Sequence, residues 1–194
     1  MTDIETAPRQ EENAPGRARF GWGAGRRRAK AARDAEFTAF VESFADRLRR
    51  SAFLMSRDWH LAQDLTQQTF AKMYAAWDRI RAGANLEAYS RRVLMNLLFD
   101  HHKRRSGSEV VLGELPDRPD RSSSGTPELR LALVDALAQL TVEDRAVLVL
   151  RHGEDLAVEA VAGILGVSSS VVKMRNARAL ARLRTLLGTD FLDD

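Results

Sequence analysis

Cysteine is absent from the 194 residues, which removes disulfides, thiolate metal sites and cysteine nucleophiles together. Long apolar runs are missing too. No stretch approaches the roughly 18 consecutive apolar residues of a membrane-spanning helix, so no membrane insertion is expected. Met1 to Gln10 lacks the apolar core of a secretory signal, and a cytoplasmic location follows as the expectation. There is no glycine-rich phosphate loop and no G-x-S-x-G elbow. Sustained strand alternation and internal repeats are also missing. An enzyme is therefore not expected, and no cofactor is implied.

What is present belongs to a folded helical protein. Hydrophobic residues at 44% and charged residues at 29% suffice for a buried core. The net charge is only +3, yet the pI is about 9.7, so the arginines must form local basic surfaces that suit polyanions.

Apolar spacing divides the chain. Residues 1–35 carry prolines, glycines and no apolar period, with seven basic and no acidic residues between Arg17 and Arg33. A disordered basic arm is expected there, either merely solvated or touching nucleic acid nonspecifically. Residues 36–105 hold three amphipathic helices. The first has Phe37, Phe40, Val41, Phe44 and Leu48 on one stripe. The second starts near Trp59 and ends at Gly83, with Leu61, Leu65, Phe70, Met73, Tyr74, Trp77 and Ile80 as its apolar surface. In the third, Tyr89, Val93, Leu97 and Leu98 point one way. Residues 106–127, with prolines, glycines and the run Ser122 to Ser124, read as a flexible linker.

Residues 128–188 return to helical periodicity, and 189–194 form an acidic tail. Thr141 with Asp144 three residues on resembles a capping box. Asp155 and Ser168 are expected to cap the two helices that follow, with the turn at Gly166. The fold class is thus all-α, as two small helical domains joined by a linker.

Leu156 to Leu187 has the layout of a helix-turn-helix, in which the second helix enters the major groove N-terminus first. Ser169, Ser170, Lys173 and Met174 would lie closest to bases. Arg175, Arg178 and Arg182 share one face at i, i+3 and i+7 and suit phosphates. The alternative is a two-helix hairpin whose basic face is only solvated. A second basic stretch, His101-His102-Lys103-Arg104-Arg105, ends the third helix, where the macrodipole alone favours cations. Arg92, Asn96 and Lys103 line the face opposite Val93 and Leu97, beside Tyr89 and Phe99, a surface able to hold unstacked single-stranded DNA. His60 and Asp64 are four apart, but adjacent His101 and His102 point to different faces and no third ligand has a conventional spacing, so no metal site is expected.

Together these segments resemble the sigma factors of bacterial RNA polymerase, in their short extracytoplasmic-function form. Asp58-Trp59-His60-Leu61-Ala62-Gln63-Asp64-Leu65-Thr66-Gln67-Gln68 is similar to the sigma region 2 signature. The resemblance implies that Asp64, Gln67 and Gln68 bind the clamp helices of the polymerase largest subunit. Tyr89 to Arg105 resembles the helix that melts and reads the minus-10 element, which assigns that role to Arg92, Asn96, His101, Lys103, Arg104 and Arg105. The loop from Arg81 to Leu86 would help form the pocket for a flipped base.

Leu140 to Arg151 and the helix-turn-helix resemble region 4, the reader of minus-35, which assigns Ser169, Ser170, Lys173, Met174, Arg175, Arg178 and Arg182 to that element. Ser169-Ser170-Val171 stands where an acidic residue, glycine and threonine are frequent. The Trp59-His60 pair and the Asn85 to Tyr89 segment are similar to a sigma-E-like subgroup common in actinobacteria. The implied partners are core RNA polymerase, at the clamp helices and the flap, promoter DNA, and an anti-sigma factor gripping both domains. Three other readings of the residues stand beside this one: a dimeric helix-turn-helix repressor or activator, a metal-dependent hydrolase on a helical scaffold, and an adaptor with solvated basic faces.

Overall fold

The computed structural model describes residues 21–83, 85–105 and 126–188, and these are helical, with no strand among them. Their elements are α1 (Gly21–Ser56), α2 (Trp59–Ile80), α3 (Leu86–Arg105), α4 (Pro127–Ala138), α5 (Val142–Leu148), a π-helical turn (Val149–Gly153), α6 (Val158–Leu165) and α7 (Ser169–Leu187). The chain divides into two compact units, residues 1–38 and 39–194.

In the first unit the expectation of a disordered arm fails from Gly21 onward, because α1 already begins there. Ala29, Ala31, Ala32 and the neighbouring arginines are among the strongest helix formers, and no proline follows Pro15 in this stretch. Composition and apolar period pointed to disorder, while intrinsic propensity favours the helix. Residues 1–20 of that arm lie outside the described residues.

In the second unit, the part of α1 beyond Thr38 packs with α2 and α3. Phe44, Leu48, Ala52, Leu65, Met73, Trp77, Leu94 and Leu98 are buried here. Aromatic contacts fill the gaps: Phe40 lies 5.7 Å from Phe44 and 5.9 Å from Trp77, and Phe53 stacks on Trp59 at 4.0 Å. The chain reverses between α1 and α2 at Arg57, whose φ of 59° is left-handed. Asp58 then caps α2 by accepting from the backbone N–H groups of His60 and Leu61 at 2.9 and 3.0 Å. Asn85 does the same for α3, accepting from Ala88 N at 2.9 Å.

Helices α4 to α7 enclose Ala136, Leu137, Leu140, Leu148, Ala179 and Leu183. Pro127, expected to be the last linker residue, is instead the first residue of α4, where its missing N–H costs nothing. Residues 106–125 of the linker lie outside the described residues. Thr141 caps α5, accepting from Asp144 N at 3.3 Å. Asp155 does not cap α6: it sits at φ 52°, and α6 starts after Ala157 with no side-chain cap. Ser168 caps α7 as expected, accepting from Val171 N at 3.4 Å.

The two sets of helices touch each other. Leu54 of α1 packs against the α4–α7 core. Arg57 bridges to Asp135 of α4 at 2.5 Å. The Arg145 guanidinium donates to the carbonyls of Leu137 and Ala138 at 2.8 and 2.7 Å, and also to that of Met55. One side chain thus satisfies carbonyls at the C-terminal ends of α4 and α1, groups with no partner inside their own helices. Its burial, with Arg57 nearby, lowers its affinity for the proton.

Candidate nucleic-acid interface

The first surface lies on α2. Asp64, Gln67 and Gln68 fall at i, i+3 and i+4, so they share one face, and all three are exposed. Opposite them Leu65, Thr66 and Thr69 are buried, with the threonine hydroxyls donating to Ala62 O and Leu65 O at 2.7 and 2.8 Å. The polar face can therefore project outward without leaving buried groups unpaired.

The second surface is α3. Arg92, Asn96, Lys103 and Arg104 are exposed, while His101 and Arg105 are half-buried. Tyr89 and Val93, placed inward by periodicity, are only partly covered, and the sealed positions are Ser90, Arg91, Leu94, Met95, Leu97 and Leu98. Arg104 Nε donates to Asp100 O at 3.1 Å, tying it to the last turn.

An open cleft of about 260 Å³ joins these first two surfaces, lined by Leu61, Asp64, Leu65, Gln68, Leu97, His101, Arg104 and Arg105. His101 Nε2 is enclosed there without a hydrogen-bond partner. Burial, then the charges of Arg105 and Arg104, hold its pKa below the usual 6.5. Residues assigned to two different ligands thus share one cleft.

The third surface is α6–α7. Gly166 makes the turn at φ 68°, a left-handed conformation that side chains other than glycine rarely adopt. Ser170, Lys173 and Met174 are exposed at the start of α7, and Ser169 is half-buried. The Ser170 hydroxyl lies 2.9 Å from that of the capping Ser168.

Arg175, Arg178 and Arg182 do not act alike. Arg182 is exposed, Arg175 half-buried. Arg178 grips Asp144 of α5 with Nε and Nη2 at 2.8 and 2.6 Å. That hydrogen bond, then the charge of Asp144, raises the Arg178 pKa. The Asp144 carboxylate therefore fastens α7 to α5 rather than returning to the Thr141 N–H as a capping box would.

Several structural residues escaped the sequence reading. Arg91 is 3% exposed, donates to Glu154 at 2.8 Å and to Glu87 at 3.1 Å, and lies over the Phe44 ring at 4.7 Å. Its signal was available: Arg91 shares the i, i+3, i+7 stripe of Leu94 and Leu98. His152 Nε2 lies 2.9 Å from Asn176 Oδ1, joining the π turn to α7; no spacing rule announces that pair. Among the described residues no group of three His, Asp or Glu could hold a metal. No described helix is long and apolar enough to cross a membrane.

Two family models match the chain, sigma-70 region 2 over residues 40–107 and sigma-70 region 4 over residues 136–185. The chain is 37% identical over 158 residues to the RNA polymerase sigma-E factor of Streptomyces coelicolor, covering 81% of this chain and 89% of that one. It is 32% identical over 156 residues to the ECF RNA polymerase sigma factor SigE of Mycolicibacterium smegmatis, covering 76% of this chain and 60% of that one. Among solved structures it is similar to the sigma factor RpoE in complex with the anti-sigma factor NepR from Bartonella quintana, with a TM-score of 0.69, 26% identity, and coverage of 82% of this chain and 99% of that one.

Proposed function

The chain belongs to the extracytoplasmic-function sigma factors of the sigma-70 family, of the sigma-E kind, and from this membership we propose a residue-level account of how it works. It binds core RNA polymerase and directs it to promoters through minus-35 and minus-10 elements. In our account residues 36–105 form region 2, 106–127 the linker and 128–188 region 4. Asp64, Gln67 and Gln68 seat region 2 on the clamp helices, and region 4 docks at the flap.

Arg92 and Asn96 capture an unpaired base of minus-10, while His101, Lys103, Arg104 and Arg105 hold its backbone. Such capture favours melted DNA because only the open duplex offers that base. Ser169, Ser170, Lys173 and Met174 meet the minus-35 base edges. Arg175 and Arg182 take phosphates, with Arg178 doing so as it braces α7 from Asp144. The protein works by binding rather than bond-making, in the cytoplasm, and an anti-sigma factor gripping both regions is its inhibitory partner.

The observation that carries this account is the exposed Arg92–Asn96 face of α3 joined in one chain to a capped helix-turn-helix ending in basic α7. A dimeric repressor would have no use for the first. Adding the purified chain to bacterial core polymerase and sequencing the transcripts made from genomic DNA tests it. New start sites sharing two spaced elements support the account; none, with the chain failing to join the core enzyme, refutes it.

A further inference from the structure

Resting on the promoter reading, we propose that residues 26–33 of α1, outside both matched sigma-70 regions, form an additional phosphate-binding element for duplex DNA. Arg26, Arg27, Arg28, Lys30 and Arg33 place five cations within eight residues, and the next acidic residue is Asp34. As an unstructured arm this run would be a diffuse cloud of charge. In the structure it is helical, and a helix fixes the spacing.

At 1.5 Å per residue the five cations span about 10.5 Å of axis, roughly one positive charge per 2 Å. A DNA duplex carries one negative charge per about 1.7 Å. The two linear charge densities match. Arg26, Lys30 and Arg33 lie at i, i+4 and i+7 on one stripe. Arg26, Arg27, Arg28 and Lys30 are all exposed. Four of the five cations are arginines, whose planar fork meets two phosphate oxygens at once.

The same residues argue against an anionic membrane as the occupant. A helix that lies on a membrane needs a broad apolar face with Trp, Phe or Leu. From Gly25 to Glu36 every apolar side chain is an alanine. Burying methyl groups alone gives too little to hold a helix in lipid, whereas phosphate contact needs no apolar face.

The test replaces Arg27, Arg28 and Lys30 together by glutamine, which removes three charges while keeping good helix propensity. Holoenzyme assembled from wild-type or triple-variant chain is titrated with a promoter fragment and with a promoterless duplex across a range of salt. Each phosphate contact contributes about 0.9 to the slope of log affinity against log salt. The variant should lower that slope by about 1 to 3 on both duplexes, with unchanged affinity for core polymerase.

Equal slopes for wild type and variant on both duplexes would overturn the inference. So would a difference that appears only with single-stranded RNA or with anionic phospholipid vesicles. A wild-type holoenzyme that does not prefer the promoter fragment sinks the promoter reading instead, and the slopes on promoterless duplex still decide the role of the helix.

Discussion

Arg91 Nη2 of α3 lies 2.8 Å from Glu154 Oε2, and the two side chains, at 4% and 1% exposure, are sealed from solvent. Glu154 follows the π turn as its C-cap, its backbone N–H donating to Val149 O. The Ser51 hydroxyl donates to the other Glu154 oxygen. Removing one partner of such a pair strands a buried charge. Glu154→Ala should therefore lower unfolding free energy by about 3 kcal/mol, the low end of the usual range, because Glu87 still faces Arg91 Nη1 at 3.1 Å. Replacing both partners, Arg91→Met with Glu154→Leu, should recover most of that loss. Urea midpoints measure both, and a Glu154→Ala protein as stable as wild type refutes the ion pair's role.

The same pair has to part on a promoter. Elements centred near minus-35 and minus-10 are about 25 base pairs apart, roughly 85 Å at 3.4 Å per pair. Region 2 and region 4 cannot span that distance while Arg91 touches Glu154. Dyes placed on Lys72 of α2 and Arg184 of α7, both exposed and outside the assigned binding surfaces, should show strong energy transfer in the free protein and little in the promoter-bound holoenzyme. Unchanged transfer on promoter binding would mean that the two regions do not read separate elements.

How far the fold was legible follows from the same residues. Apolar stripes located α2, α3 and α7, and the Ser168 cap and the Gly166 turn were visible because each needs a specific side chain, or lack of one, at a fixed offset. The contact between the two regions was not, since it depends on Arg91 meeting Glu154 across 63 residues of chain and Arg145 meeting the Met55 carbonyl across 90. Local periodicity carries no information at that range. The N-terminal part of α1 was missed for another reason: alanine and arginine favour helix without leaving an apolar stripe. Of the candidate interface, the exposed Arg92, Asn96 and Lys103 face of α3 was legible from spacing; Asp64, Gln67 and Gln68 came only from the family resemblance, and the diversion of Arg178 to Asp144 from neither.

His101 gives a pH signature. Its folded pKa is held below 6.5, first by burial and then by Arg105 and Arg104, with Asp58 opposing. The unfolded chain thus takes up the proton before the folded one does, so stability contributed by neutral His101 is complete above about pH 6.5 and declines as pH falls towards the folded value. His101→Gln should flatten that part of the stability–pH curve. An NMR titration placing the His101 imidazole at or above 6.5 would contradict the enclosure of its ring.

In the proposed account, substitution of Asn96 should separate promoter opening from polymerase binding. Asn96 is exposed on α3 and does not line the cleft that Asp64 and Gln68 share with His101 and Arg104. Asn96→Ala should remove hydrogen bonds worth about 1 kcal/mol, reducing open complex roughly fivefold while leaving core affinity unchanged. A permanganate footprint beside a core-binding titration distinguishes the two. Equal loss of both would place Asn96 in the polymerase contact.

Two glycines three residues apart should respond to the same substitution with opposite signs. Gly166 ends α6 at φ 68°, and a Cβ built there meets nothing within 4 Å. Space is therefore not the obstacle, and the cost of Gly166→Ala is the left-handed backbone itself, about 1–2 kcal/mol. Gly163 lies inside α6 with ordinary helical geometry, is exposed, and likewise has open space around a Cβ. Alanine there narrows the unfolded ensemble and suits the helix, so Gly163→Ala should stabilise by about 0.5–1 kcal/mol. If thermal unfolding shifts both variants the same way, the turn is not set by backbone conformation. If only Gly166→Ala also loses minus-35 binding at a temperature where it remains folded, the angle between α6 and α7 is what presents α7 to the groove.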